Sequence, residues 1–241
     1  MENKKPRIGI YGSVPKDNEA FKVITSILGY DPYEVKEIEQ DQIIASVCGR
    51  AKTFGAHFTI YDIFTPTDYP ALIEKLKEIL SEFKPFDFTF VRFEGYVRGD
   101  HQGKTVYDTA MKTVVALDFD SDSVAKFNEL HKTIIENIQN LRAKIEPEFD
   151  KELFRKVPEL WALIEKYGAP YVLKNYSPHL TLASGLDGSD ETCNRIISYL
   201  NENYSSQLLH KQIPFDAVYI FEEILGGEFN GYFRIKETIY L

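Results

Sequence analysis

Apolar and polar positions along the chain alternate in two periods, which divide it into strands and helices. Ile8, Ile10 and Tyr11 come just before Gly12, Ser13 and Pro15, which predicts a first strand over 7–14. Phe21, Ile24, Ile27 and Leu28 recur at helical spacing, so 18–28 is a helix that stops at Gly29. Residues 42–48 fit a short strand or a short helix equally well. The run AHFTIYDIF at 56–64 is a strand, with His57, Thr59, Tyr61 and Ile63 expected on one face. Leu72, Leu76, Ile79, Leu80 and Phe83 place a helix over 69–83. Residues 86–98 and 106–119 read as strands separated by a polar loop. A long helix follows over 122–145, carrying Phe127, Leu130, Ile134, Ile138, Leu141 and Ile145, with Asp120 or Ser121 as its cap. Residues 158–167 form another helix, with Pro158 in its first turn and Gly168 after it. A strand at 176–183, a helix at 189–203 capped by Ser189 or Asp190, and a hairpin at 215–225 and 229–241 around Gly226-Gly227 complete the chain.

This order repeats itself. AHFTIYDIF is followed by a helix, a strand and another strand, and so is PHLTLASGL. A period of roughly 60 residues fits two similar α+β lobes. No low-complexity linker interrupts the chain, so 1–241 is read as one unit.

The repeat places one H-x-T at the same point in each half: His57-Phe58-Thr59 and His179-Leu180-Thr181. In a strand, residues i and i+2 share a face. Each His and its Thr therefore project together, while Phe58 and Leu180 turn to the apolar side. If the two strands lie near a pseudo-dyad, two imidazoles and two hydroxyls line one cleft. Such a set suits metal-free cleavage of a phosphodiester. One neutral imidazole takes a proton from water, and the other, protonated, gives one to the leaving alkoxide. The Thr hydroxyls donate to the non-bridging oxygens as charge develops there.

These two motifs resemble those of the two-histidine (2H) phosphoesterase superfamily, which includes 2′-5′ RNA ligase-like proteins and 2′,3′-cyclic nucleotide phosphodiesterases. The resemblance implies a duplicated, pseudo-symmetric α+β fold, with antiparallel sheets lining a central cleft and helices outside. It also implies that His57 and His179 are catalytic and that Thr59 and Thr181 bind phosphate. The opening IGIYGSVPKDNEAFKVITSILGYDPY and the stretch 152–186, with WALIEKYGAPYV leading into SPHLTL, are similar to a 2H branch found near phosphonate-metabolism genes. That branch usually carries Lys four residues after the first His, where this chain has Tyr61. The two motifs are more widely spaced than in the smallest members. The extra length, around 122–176, reads as a helical insertion that frames one end of the cleft.

Charge narrows the substrate. The 241 residues hold 28 Lys plus Arg against 37 Asp plus Glu, a net charge of −9. That balance argues against long double-stranded nucleic acid, where phosphate contacts by basic residues dominate affinity. A small cyclic phosphate, a nucleotide or a short RNA end remains. Lys52 is a candidate contact to a terminal phosphate, and Tyr61 and Tyr176 are candidates to stack on a base. The two cysteines, Cys48 and Cys193, form no disulfide framework and no CxxC motif. Arg50 and Lys52 stand near Cys48, yet an idle thiol is the favoured reading. No apolar run is long enough for a membrane span or a signal peptide, so a cytoplasmic monomer is expected.

Other motifs fall away. The segment RGDHQGKT at 98–105 lacks the spacing of a phosphate-binding loop and leads into a strand-like stretch. A zinc site on His57 and His179 needs a third ligand, and Asp62 falls on the opposite face of a regular strand, so no metal or cofactor is expected. His101, His131 and His210 read as solvated or without a role. The competing reading is a non-catalytic module on the same fold that binds a nucleotide or an RNA end.

Overall fold

A computed structural model describes residues 5–97, 100–101, 104–105, 112–143, 154 and 157–241. In chain order its elements are β1 (Ile8–Gly12), α1 (Glu19–Leu28), β2 (Tyr30–Asp31), β3 (Lys36–Glu37), α2 (Gln42–Ala45), α3 (Ala51–Phe54) and β4 (Phe58–Phe64). Then come α4 (Tyr69–Leu80), β5 (Phe86–Val97), β6 (Asp100–His101), β7 (Lys104–Thr105), β8 (Lys112–Phe119) and α5 (Ser121–Ile138). The chain closes with α6 (Pro158–Tyr167), β9 (His179–Ala183), α7 (Asp190–Leu208), β10 (Gln212–Phe215), β11 (Ala217–Glu223) and β12 (Phe233–Tyr240).

Local chemistry accounts for the helix starts. The side chains of Asn18, Asp68, Asp120 and Ser189 each accept a backbone N–H in the first turn of the helix that follows. Each such cap contributes about 1 kcal/mol. Asp41 settles the ambiguous 42–48 segment as helix, because it accepts from the N–H groups of Ile43 and Ile44. Its other oxygen accepts from the hydroxyls of Tyr199 (2.5 Å) and Tyr204 (2.6 Å) on α7.

The fold is α+β, built on two four-stranded antiparallel sheets. One has the order β12-β11-β1-β4 and the other β10-β5-β8-β9. The sequence repeat predicts two consecutive blocks, but the sheets are interlaced. After α4 the chain leaves the first sheet and supplies β5 and β8 to the second, and β11 and β12 return to the first. β10, not separated from the terminal hairpin in the sequence, pairs with β5. Each sheet ends on a motif strand, β4 in one and β9 in the other.

The shared core is aromatic. Phe58, Phe88, Phe119, Phe127 and Phe215 cluster around α5, with the Phe58 and Phe127 centroids 4.7 Å apart and those of Phe119 and Phe127 4.9 Å apart. Tilted and edge-on ring pairs of this kind add to the gain from area burial. Within the 122–176 region, expected to be a helical insertion that frames the cleft, α5 packs into this core, and much of 144–156 lies outside the described residues. Phe127, Leu130, Ile134, Ile135 and Ile138 of α5 have no exposed surface, so the helix is a core element. It ends at Ile138 and tightens into a 3-10 turn over Gln139–Leu141. His131 is corrected: at 1% exposure it is buried, not solvated. The side chain of His101 lies outside the described residues. Among the described residues, no helix is long and apolar enough to cross a membrane.

Phe127→Ala removes the ring at the centre of this cluster. Its expected cost is about 3–5 kcal/mol, the usual range for a buried Phe truncation. Urea unfolding measures it, and a loss below about 1 kcal/mol would contradict a core role for α5.

Candidate active site

The first motif strand is irregular, and this irregularity shapes the site. β4 pairs with β1 as Ile8↔Phe64, Ile10↔Tyr61, Tyr11↔Thr59 and Gly12↔Phe58, with register shifts in between. One shift leaves Ile60 as an extra residue and breaks the simple alternation. Thr59 stays on the face of Tyr11, while both Ile60 and Tyr61 turn inward, to 0% and 1% exposure. Tyr61 donates its hydroxyl to the Tyr167 carbonyl at 2.7 Å. It therefore leaves the face shared by His57 and Thr59 and is no substrate contact. The same irregularity brings Asp62 into electrostatic reach of Tyr11, on the motif side and not on the opposite face.

His57 sits in an aromatic pocket. Its ring stacks on Phe54 (4.9 Å, 26°) and meets Tyr11 edge-on (4.9 Å, 80°). Its Nδ1 lies 3.0 Å from the Gly55 carbonyl. Gly55 holds φ at 69°, and a Cβ there would stand 2.6 Å from Pro32 Cδ. Only glycine fits that backbone and delivers the carbonyl. His179 repeats the arrangement. Its Nδ1 lies 2.9 Å from the Ser177 carbonyl, and its ring stacks on Tyr96 (4.7 Å, 26°). In both cases a carbonyl two residues upstream takes the Nδ1 proton of the neutral ring, which leaves Nε2 as the basic nitrogen. The partners of His179 and Thr181 across β8 are Asp118 and Ala116.

Burial lowers the pKa of both motif histidines, that of His57 to about 4. The carbonyl bonds oppose this, since they favour the protonated ring. A charge on His179 lowers His57 further, so the two imidazoles stand within electrostatic reach of each other. The structure thus brings the two H-x-T motifs together across the gap between β4 and β9. Asp118 acts the other way on His179 and favours its charged form.

Neighbours that the motif search did not reach lie on the second sheet. Arg92, Glu94 and Tyr96 alternate along β5 on the face of Asp118. The Tyr96 hydroxyl donates to Asp118 Oδ1, and Arg92 Nη2 pairs with Asp118 Oδ2 at 2.7 Å. Arg92 also pairs with Glu94 at 3.1 Å. The signal for this polar face is the period-two pattern R-F-E-G-Y at 92–96. Tyr11 had a similar signal in the I-x-I-Y run of β1, where it reads as one more apolar residue.

The remaining candidates are otherwise engaged. Tyr176, 9% exposed, donates its hydroxyl to the Thr59 carbonyl at 2.6 Å and stacks on His131 at 3.9 Å and 6°, so it is not a free platform for a base. Lys52 pairs with Glu37 at 2.7 Å. Cys48 is buried, and burial pushes its thiol up to about 11, so its basic neighbours do not activate it. Among the described residues, no three His, Cys, Asp or Glu side chains group as metal ligands.

The family model of the 2′-5′ RNA ligase superfamily matches residues 48–221, a span that contains both motifs and most of both sheets. The chain belongs to this superfamily of two-histidine phosphoesterases. Two solved structures resemble this superfamily member along nearly its whole length. Usb1 of Kluyveromyces marxianus has a TM-score of 0.41 and 9% identity over 98% of each chain. The same protein with uridine monophosphate has a TM-score of 0.37 and 7% identity over 99% of each chain. No curated protein matches the sequence.

A pH dependence follows from the lowered pKa values of His57, His131 and His179. The unfolded chain binds protons at these positions that the folded one refuses. Their contribution to stability is complete above about pH 6.5 and is lost as pH falls from there toward the folded values. The slope is at most about 1.4 kcal/mol per pH unit per histidine. Urea midpoints at about pH 7.5 and pH 5 test this. The midpoint is expected to fall at the lower pH, and a midpoint that stays level would refute the lowered histidine pKa values.

Proposed function

We propose that the protein is a metal-independent phosphoesterase that opens a cyclic phosphodiester by general acid–base catalysis on His57 and His179. The observation that carries this reading is the pair of imidazoles, each with Nδ1 on a backbone carbonyl and each within electrostatic reach of the other. His57, its pKa lowered to about 4, is neutral near pH 7 and takes the proton of the attacking water on Nε2. His179 has Asp118 to favour its charge. It gives the Nε2 proton to the leaving alkoxide as the P–O bond breaks. The bound phosphodiester anion itself raises the His179 pKa, so the acid is loaded in the complex. Thr59 and Thr181 donate their hydroxyls to the non-bridging oxygens. The product is a phosphomonoester.

The charges around the site favour a small monoanion. Arg92 is neutralised by Asp118 and Glu94, and Arg7 by Glu223 at 2.8 Å, while Arg50 stands within electrostatic reach of Tyr11 beside His57. A substrate with one phosphodiester asks for two hydroxyls and an imidazolium, not for a basic wall. A 2′,3′-cyclic nucleotide, a short RNA end that bears one and a ribose cyclic phosphate all meet that description. The second reading, a binding module, is favoured only if such a ligand binds and no product forms.

Hydrolysis of 2′,3′-cyclic mononucleotides and ribose 1,2-cyclic phosphate in EDTA tests the proposal. His57→Ala and His179→Ala are each expected to lose at least about 10²-fold in turnover. A folded variant with near wild-type rates would end the assignment. The roles separate on a phosphodiester with a nitrophenolate leaving group, which departs without a proton. His179→Ala is expected to recover most of its loss there, and His57→Ala to recover none. The reverse pattern would exchange base and acid.

A further inference from the structure

β4 and β9 are the terminal strands of their sheets, and each is paired on one side only. The two strands pack close to each other, and two side chains outside both motifs link the segments that carry them. The Tyr176 hydroxyl donates to the Thr59 carbonyl at 2.6 Å. His131 Nδ1 donates to the Ile60 carbonyl at 2.6 Å, and its Nε2 accepts the Leu173 N–H at 2.8 Å. The two rings lie face to face, 3.9 Å apart and 6° from parallel. Both carbonyls belong to the irregular stretch of β4 directly after His57. Tyr176 and Leu173 belong to the segment that leads into His179. Leu173 holds φ at 54°, a backbone that side chains rarely adopt, and its N–H is the one His131 accepts.

We propose that His131 and Tyr176 are positioning residues, a cross-brace that ties the strand of the first H-x-T motif to the chain entering the second and so fixes the separation of the two catalytic imidazoles. This rests on the two-histidine reading of the site and adds to it the device that sets the site's width. The hydrogen-bond requirements of the strand edge explain the brace. A bulged edge strand leaves carbonyls without ladder partners, and buried carbonyls require donors. A strand from the second sheet would supply them by zipping the edges together, which would close the cleft. A phenol and an imidazole supply them from the side. The neutral imidazole is needed, because one of its nitrogens donates and the other accepts. The face-to-face stack makes the two bonds one unit, since neither ring can turn without moving the other.

Three variants and two readouts test the brace. Tyr176→Phe keeps the ring and removes the hydroxyl. His131→Gln keeps one donor and one acceptor, and His131→Phe keeps neither. The first readout is kcat and KM on the cyclic phosphate panel. The second is titration of the His57 and His179 ring nitrogens by NMR, which needs no substrate. Misplacement of reacting groups by about 1 Å costs up to about 10²-fold in rate, so Tyr176→Phe and His131→Phe are expected to lower kcat about tenfold, with KM changed less than about twofold. His131→Gln is expected to restore most of that loss. In the two disrupting variants the mutual effect of the histidines relaxes, and the His57 titration moves up by at least about half a unit. Folded variants with wild-type kcat and wild-type titrations would overturn the brace, even if their melting temperatures fell. If the wild type turns over no member of the panel, the titration alone decides: a shifted His57 supports the brace, and an unshifted one rejects it, whatever the site's chemistry.

Discussion

The proposed site depends on keeping two sheet edges apart. An exposed strand edge offers unpaired N–H and C=O groups, and the cheapest partner for one edge is another. Here β4 and β9 both end their sheets; β4 starts directly after His57 and carries Thr59, β9 carries His179 and Thr181, and the proposed reaction requires room between them. A continuous ladder across the gap would satisfy every backbone group and leave no site. The bulge in β4 removes that option by breaking the regular spacing that a ladder needs. The carbonyls of Thr59 and Ile60 then find side-chain donors in Tyr176 and His131. The irregularity that displaces Tyr61 into the core thus falls at the same carbonyls that Tyr176 and His131 hold.

The electrostatics of the site follow from this separation. Each histidine is held by a carbonyl on Nδ1 and covered by aromatic rings, and covering a ring in this way disfavours its charge. Two neutral imidazoles make a resting state with two bases and no acid. In the proposed reaction an anionic substrate changes that balance by bringing a negative charge between them. Asp118 favours charge on His179, and among the described residues no carboxylate is a cause of the His57 shift. A pseudo-symmetric pair is made unequal by one carboxylate. That carboxylate is itself held by the Tyr96 hydroxyl and the Arg92 guanidinium, so the asymmetry is built into the second sheet.

Much of this was legible in the residues and some of it was not, for physical reasons. Helices α1, α4 and α6 follow from apolar spacing and end signals because short-range chemistry decides them. The two motif histidines were legible because a repeated H-x-T in apolar strands has few structural reasons to exist. Tyr61 was misplaced because period-two reasoning assumes a regular strand, and one extra residue reverses the face of everything after it. His131 lies on a helix between Leu130 and Lys132, where sequence favours neither burial nor exposure. Its acceptor and donor, the Ile60 carbonyl and the Leu173 N–H, come from distant parts of the chain. Tyr176, expected to stack on a base, has its hydroxyl on the Thr59 carbonyl and its ring on His131, which the sequence does not reveal because an aromatic beside a motif looks alike whether its hydroxyl meets solvent or a backbone carbonyl. The interlacing of the sheets was hidden because a repeat in element order carries no information on which sheet a strand joins.

That interlacing constrains how the site can work. In a protein of two consecutive lobes, a cleft can open about a hinge in the linker. Here the chain passes from β4 through α4 into β5 of the other sheet, and from β10 into β11 back again. Phe58 of the first sheet packs against Phe88, Phe119 and Phe215 of the second and Phe127 of α5. Separating the sheets as rigid bodies would pull these rings apart and expose a core common to both. The positions of the two motif strands are therefore tied to a core common to both sheets. On the proposed two-histidine reading, such a site works by preorganisation: its donors and bases stand in place before the substrate arrives, and the proposed reaction costs no reorganisation of the fold.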